Sequence, residues 1–153
     1  MRITDKYVFF WNGIYSQWYE APMIIDGIEY NCCEQYMMHQ KALTFGDTEI
    51  AKLIMEETNP RLQKKFGRMI SNFDKSVWDK CCVSIVYKGN YAKFTQKESL
   101  LLTDKRILVE ASPVDNIWGI GMAENDKGVE NPLNWKGLNL LGQALNLVKQ
   151  ELI

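Results

Sequence analysis

The run Ile24-Ile-Asp-Gly-Ile-Glu-Tyr30, followed almost at once by Cys33-Glu-Gln-Tyr-Met-Met-His-Gln-Lys41, leaves this chain few choices. Asp26-Gly27 sits between β-forming residues and tolerates the positive φ of a type I′ turn, so Ile24 to Tyr30 reads as a two-residue hairpin. A helix is expected from about Cys33. At ~100° per residue it places Glu34, Met37, Met38, Lys41 and Phe45 on one face, with Glu34 and Lys41 about 10 Å apart along the axis. Tyr36, His39, Gln40 and Leu43 occupy the other side, so the helix is enclosed over most of its surface. Two charges among methionines and a phenylalanine are costly unless paired, hydrogen-bonded or wetted by a pocket. One reading makes them a site. The plainer one, which helix geometry alone favours, lets Glu34 complement the helix dipole and Lys41 snorkel to solvent.

The rest of the chain supplies scaffold around this stretch. Tyr7 to Trp11 has strand composition, Asn12-Gly13 turns the chain, and Tyr15 to Pro22 is an aromatic loop. Asp47 is placed to cap a helix over Thr48 to Glu57, and Asn59-Pro60 to open the basic segment Arg61 to Arg68. That segment is either a solvated face or, through Arg68 beside Gly67, a contact for an anion. Asp74 caps a longer helix whose Val77, Trp78, Cys81, Cys82, Ile85 and Val86 form an apolar stripe; Gly89-Asn90 is expected to break it or its polar end. Trp78 either fills the core or presents its face to a heterocycle. A further helix is expected over Gln96 to Thr103, a strand buried on both faces over Ile107 to Ala111 and containing Glu110, and a last helix from Asn139, a candidate N-cap, to Leu152. Between these lies Ser112 to Gly142, where Gly119 follows Trp118 directly, Gly137 follows Trp135 after one residue, and both allow close backbone approach to something flat. The expected architecture is α+β: a compact single domain over residues 1–153, with several helices packed around short antiparallel strands.

Composition narrows the chemistry. The 153 residues carry a formal net charge of −1, so no broad basic surface exists for non-specific nucleic-acid binding and any such contact must be local. The four cysteines fall as two adjacent pairs, Cys32-Cys33 and Cys81-Cys82; neither zinc spacing nor a C-x-x-C motif is present, and they read as buried thiols of a reducing compartment. His39 is the only histidine, and mid-helix it reads as a satisfied core residue, which disfavours acyl transfer and a transition-metal site. No phosphate-binding loop or dinucleotide fingerprint occurs. No apolar run is long enough for a membrane span, and the cytoplasm is the expected location. What remains is Glu34, Glu110 and Asp115 in apolar or aromatic settings, with Trp18, Trp78, Trp118 and Trp135. Carboxylates with aromatic platforms suit glycosidic chemistry, one group activating water or steadying an oxocarbenium-like transition state while stacking holds the leaving base.

Six segments in order give this a family context: Tyr15-Ser-Gln-Trp-Tyr-Glu-Ala-Pro22, the Ile-Asp-Gly hairpin, Glu34 to Lys41, Trp78, Leu108-Val-Glu110 with Asp115-Asn-Ile-Trp118-Gly119, and Asn139-Leu-Leu-Gly142. Together they resemble the NADAR superfamily, also called the YbiA-like N-glycosidases, over essentially the whole chain. The resemblance implies a compact α+β domain and hydrolysis, without metal or cofactor, of an N-glycosidic bond to ribose. It implies two substrate classes: ADP-ribose on guanine of nucleic acid, and phosphoribosyl-aminopyrimidine intermediates of riboflavin biosynthesis. Carried over by position, the family's helix carboxylate falls on Glu34, its helix lysine on Lys41 and its pocket tryptophan on Trp78; the later acids and tryptophan fall on Glu110, Asp115 and Trp118. The chain departs from the family in having Tyr15-Ser-Gln-Trp18 where Phe-Ser-Asn-Phe is usual, and Gln35 where histidine often follows the glutamate.

On this basis Glu34 is expected to contact ribose hydroxyls or move a proton, and Asp115 or Glu110 to orient water or stabilise the anomeric carbon. Lys41 and Arg68 are expected to neutralise phosphate, Trp18, Trp78 or Trp118 to sandwich the base, and Gly119 and Asn139 to line the substrate. ADP-ribosylated guanine in DNA or RNA, met by local contacts, is the preferred substrate; the alternatives are the riboflavin intermediates and a non-catalytic module that binds ADP-ribose or NAD.

Overall fold

The structure, a computed structural model, describes residues 1–96 and 104–152. It is a mixed α+β chain whose contacts divide it into two compact units, Gln17–Glu98 and Met1–Ser16 with Ser99–Ile153. The expected helix over Gln96 to Thr103 lies, beyond its first residue, outside the described residues.

In the first of these, the helical unit, β3 (Met23–Ile25) and β4 (Ile28–Tyr30) form an antiparallel hairpin with Ile25 opposite Ile28. Asp26 and Gly27 have φ of 51° and 80°, the type I′ geometry the dipeptide requires. Four helices follow: α1 (Cys33–Thr44), α2 (Thr48–Glu56), α3 (Pro60–Gly67) and α4 (Lys75–Gln96). Their starts are those expected. The Asp47 carboxylate accepts from Ile50 N, the Asn59 side chain accepts from Arg61 N with Pro60 in the first turn, and the Asp74 carboxylate accepts from Ser76 N, satisfying orphan N–H groups. Met23, Ile25, Tyr30, Cys33 and Tyr36 form its buried core.

The expected break at Gly89-Asn90 does not occur, because α4 runs through both residues. A Cβ on Gly89 would stand 3.0 Å from the Tyr36 ring, so the glycine serves α1–α4 packing. Asn90 is fully buried, its amide donating to Val86 O (2.9 Å) and to the Gln17 side chain (2.7 Å). Polarity marked a loop here; buried hydrogen bonding keeps the helix intact.

In the second, the sheet unit, β1 (Arg2–Ile3), β2 (Tyr7–Phe10) and β5 (Ile107–Glu110) lie in the order β1-β2-β5. β1 pairs with β2 antiparallel, but β2 and β5 are parallel, Val8 opposite Leu108 and Phe10 opposite Glu110. The expectation of antiparallel strands fails for this pair. The long intervening chain provides the crossover that parallel pairing needs, which no local signal reveals. Tyr7, Phe9, Val109, Ala111, Ile120, Met122 and Val129 form the core, with Trp135 packed against it; its indole N–H donates to Val129 O at 2.7 Å.

The outer edge of β5 is closed by side chains of α5 (Leu140–Leu152) and the residue before it. Asn139 Oδ1 accepts from Glu110 N and Asn146 Oδ1 from Leu108 N, both at 2.9 Å, Asn146 Nδ2 donates to Leu108 O, and Lys149 donates to Arg106 O. Asn139 is therefore a side-chain mimic of a neighbouring strand. It holds a left-handed φ of 54°, one that asparagine tolerates better than most residues. Gly142 allows the approach, since a Cβ there would collide with the Asn139 side chain and Leu108 O.

Candidate active site

Glu34 lies in the first turn of α1 after Cys32, which is extended and offers no side-chain cap. Its N–H donates to Gln17 O at 2.9 Å, and the residue is only 6% exposed. A carboxylate here gains from the helix dipole, yet dipole compensation does not require burial.

Lys41, two turns on, does not simply reach solvent. Its ammonium donates to Gly67 O, the last carbonyl of α3, at 3.0 Å, and lies 4.8 Å from the Phe73 ring centroid and 5.7 Å from that of Trp78. Both rings offer an electron-rich face to the cation. Burial lowers the Lys41 pKa, the Glu34 carboxylate partly offsets this and Arg68 adds to it, so these charges act on one another. Gly67 lets the Met38 side chain pack directly on the α3 backbone, since a Cβ there would displace the Met38 thioether. Arg68 itself, the C-cap of α3, is exposed.

Sequence reasoning missed a buried cation facing aromatic rings. Lys93 on α4 is 1% exposed, with its ammonium 5.3 Å from the Tyr19 ring and 5.0 Å from that of Phe94. Burial lowers its pKa and the Cys33 and Cys32 thiols work against that. Cys33 Sγ donates to Asn90 Oδ1 and Cys32 Sγ to Gln63 Oε1. Burial pushes the two thiols up to about 12 and about 11, which leaves them protonated at neutral pH and poor nucleophiles. Lys93 was readable in principle: Trp78, Cys82, Val86, Gly89, Asn90 and Lys93 form one buried helical stripe. The assumed break at Gly89 hid its continuation.

The remaining residues of this unit divide. Trp78 is buried and frames Lys41, whereas Trp18 is 40% exposed. His39 is buried, within hydrogen-bonding distance of the Tyr30 hydroxyl through Nδ1 (2.9 Å), and burial lowers its pKa. It is a neutral core histidine, as its mid-helix position implied. Gln35, at the position where the family often has histidine, holds Asn31 N with its oxygen and the carbonyls of Ile54 and Glu57 with its amide nitrogen.

In the sheet unit, Glu110 ends β5 half-buried. Asp115 Oδ1 accepts from both Ile117 N and Trp118 N at 2.9 Å, while Ser112 Oγ accepts from Asp115 N. These are Asx- and Ser-turn bonds that set the loop's path. Gly119 is buried against Asp115 O and Glu110 O, each 2.9 Å from where its Cβ would stand. Trp118 is half-buried beside it, and Asn139 N donates to Gly119 O at 3.0 Å. The structure thus brings Glu110, Asp115, Trp118, Gly119 and Asn139 together within one unit, and Glu34, Lys41, Arg68 and Trp78 within the other. Among the described residues no group of three His, Cys, Asp or Glu gathers as a metal site, and no helix is long and apolar enough to cross a membrane.

Comparison with known proteins places this geometry in context. The NADAR domain model matches residues 9–153. A protein of Acanthamoeba polyphaga mimivirus named as an N-glycosidase is 42% identical over 166 aligned positions, covering 97% of each chain. Another protein so named, from Nostoc punctiforme, is 28% identical and covers 92% of this chain and 85% of its own. The NMR structure of the E. coli protein YbiA superposes with a TM-score of 0.78 at 25% identity, covering 99% of this chain and 87% of that one.

Proposed function

The chain belongs to the NADAR family and is an N-glycosidase, and from that premise we propose that it removes ADP-ribose from ADP-ribosylated guanine in nucleic acid. In this reaction water adds to the anomeric carbon of the ribose and the C–N bond breaks with its electron pair going to the guanine nitrogen. That nitrogen takes a proton, free ADP-ribose is released, and the unmodified guanine stays in its strand.

The placement of Glu34 and Lys41 on one face of α1 carries this reading. Glu34 is buried on the first turn of α1, where a carboxylate is positioned to hold ribose hydroxyls or to take the proton of the attacking water. Lys41 keeps a cation against aromatic rings at the other end of the helix, where it neutralises a phosphate on the ribosyl side; exposed Arg68 adds charge from α3. Trp78 and Trp18 offer faces for flat rings. Within the sheet unit, Asp115, Gly119 and Asn139 shape the loop that carries Trp118, and Glu110 is that unit's own candidate carboxylate. The net charge of −1 fits recognition of one modified nucleotide rather than a long duplex.

A mass-spectrometric time course on an oligonucleotide carrying ADP-ribosyl-guanine, with wild type and Glu34→Gln in parallel, tests the proposal. Loss of the ADP-ribose mass with wild type and a rate roughly 10²–10⁴-fold lower for the variant is expected. No loss with wild type, together with turnover of a phosphoribosyl-aminopyrimidine, would move the activity to riboflavin intermediates; binding of ADP-ribose without hydrolysis of either would make the protein a reader.

A further inference from the structure

We infer that Phe73 is the platform on which the adenine of an ADP-ribosyl substrate stacks, beyond the phosphates that Lys41 meets. The inference rests on the ADP-ribosyl reading above and adds a residue that neither sequence motif nor family resemblance singled out. Along α1 stand Glu34 in the first turn, Lys41 in the last and Phe45 at the C-cap, about 10 Å and about 16 Å from the carboxylate at 1.5 Å per residue. The Phe73 ring meets Phe45 edge-on, centroids 5.2 Å apart at 68°, and its face lies 4.8 Å from the Lys41 ammonium. Carboxylate, cation and exposed aromatic therefore follow one another in a row. A sugar with a single phosphate ends at the cation; a ligand with a second nucleoside continues to the ring.

Phe73 is 45% exposed, yet its segment is held from both sides. Asp47 Oδ2 accepts from Ser71 N (2.9 Å) and Ser71 Oγ (3.0 Å), while Oδ1 of the same carboxylate accepts from Ile50 N (3.1 Å). Asn72 turns the chain at a left-handed φ of 60°, and Asp74 Oδ1 accepts from Ser76 N and Oγ. The ring packs edge-on against Phe45 and against the Lys41 ammonium and is still 45% exposed. A base stacks on it at little cost in freedom, because the turn already fixes the segment, and the neighbouring ammonium pairs with the diphosphate.

Calorimetric titration of the full chain with ADP-ribose and with ribose 5-phosphate, for wild type, Phe73→Leu and Phe73→Trp, tests this. Phe73→Leu is expected to weaken ADP-ribose by about 5- to 100-fold, leave ribose 5-phosphate within about twofold, and be rescued by Phe73→Trp. Equal weakening of both ligands, or an unchanged ADP-ribose affinity in Phe73→Leu, overturns the inference. Hydrolysis of the ADP-ribosyl oligonucleotide is read on the same preparations. Cleavage with no Phe73 effect removes the platform alone, whereas a wild type that binds no ADP-ribose removes platform and substrate together.

Discussion

The first turn of α1 and the loop after β5 both carry carboxylates, but they use them differently. In the loop, Asp115 gives one oxygen to two backbone N–H groups, Ser112 gives its hydroxyl to two more, and the side chain of Asn139 is bound into the edge of β5. These polar groups are occupied in making the backbone turn. Along α1 and the facing α4, Lys41 is half-buried and Lys93 buried against aromatic faces, and Glu34 is buried beside thiols whose ionisation it opposes. Burying charge for packing alone is unfavourable. A carboxylate that closes a turn is thus explained by folding, whereas the charges along this helix face are the ones the proposed function uses.

The strongest way to break this contrast is to neutralise each carboxylate isosterically. Glu34→Gln is expected to lose roughly 10²–10⁴-fold in turnover with its melting temperature preserved. Asp115→Asn keeps the acceptor that Ile117 N and Trp118 N need and should stay within about tenfold of wild type. Comparable losses from both would place Asp115 on the reacting atoms too.

A smaller effect sharpens the structural side. Asn139→Ala leaves Glu110 N–H without its acceptor and should cost about 1–3 kcal/mol in urea unfolding. Asn139→Gly relieves the left-handed φ but still loses the bond, so it should recover only part of that. A raised KM at undiminished stability would instead give Asn139 a direct part in binding.

The alkaline limb of stability separates thiols from ammoniums. The Cys32 and Cys33 pKa values are raised from 9.0 to about 11 and about 12, so their contribution is whole below pH 9 and is lost as pH rises through those folded values. Lys41 and Lys93 are lowered and act oppositely, stability gaining with pH up to the ordinary lysine value of 10.5. Thermal melts between pH 8 and 11 should therefore fall less steeply for Cys33→Ala than for wild type. An identical slope would remove the thiol from the linkage. The smallest effect is expected at Gly89→Ala. Crowding against Tyr36 costs about 1–3 kcal/mol and the better helix former returns about 1, a modest net loss measurable as a lower urea midpoint.

Much of the local structure is legible in the sequence. Asp26-Gly27 gave its turn type, Asp47, Asn59-Pro60 and Asp74 gave the helix starts, and the 3.6-residue period put Glu34 and Lys41 on one face. What escaped was the continuation of α4 through Gly89-Asn90, since an isolated Gly-Asn is a stop signal wherever nothing packs on it. With that break assumed, Lys93 had no place in the buried stripe. Phe73 escaped for a related reason: a phenylalanine outside any periodic segment carries no pattern.

By itself the sequence determined which residues turn, cap and face one way, because those properties depend on φ preferences and spacing over a few residues. Only the tertiary structure decided that β2 and β5 run parallel, that Asn139 and Asn146 close a strand edge, and which rings stand over Lys41 and Lys93. Those outcomes depend on which distant backbone groups need partners and on what each buried charge meets, and no short window of sequence contains either.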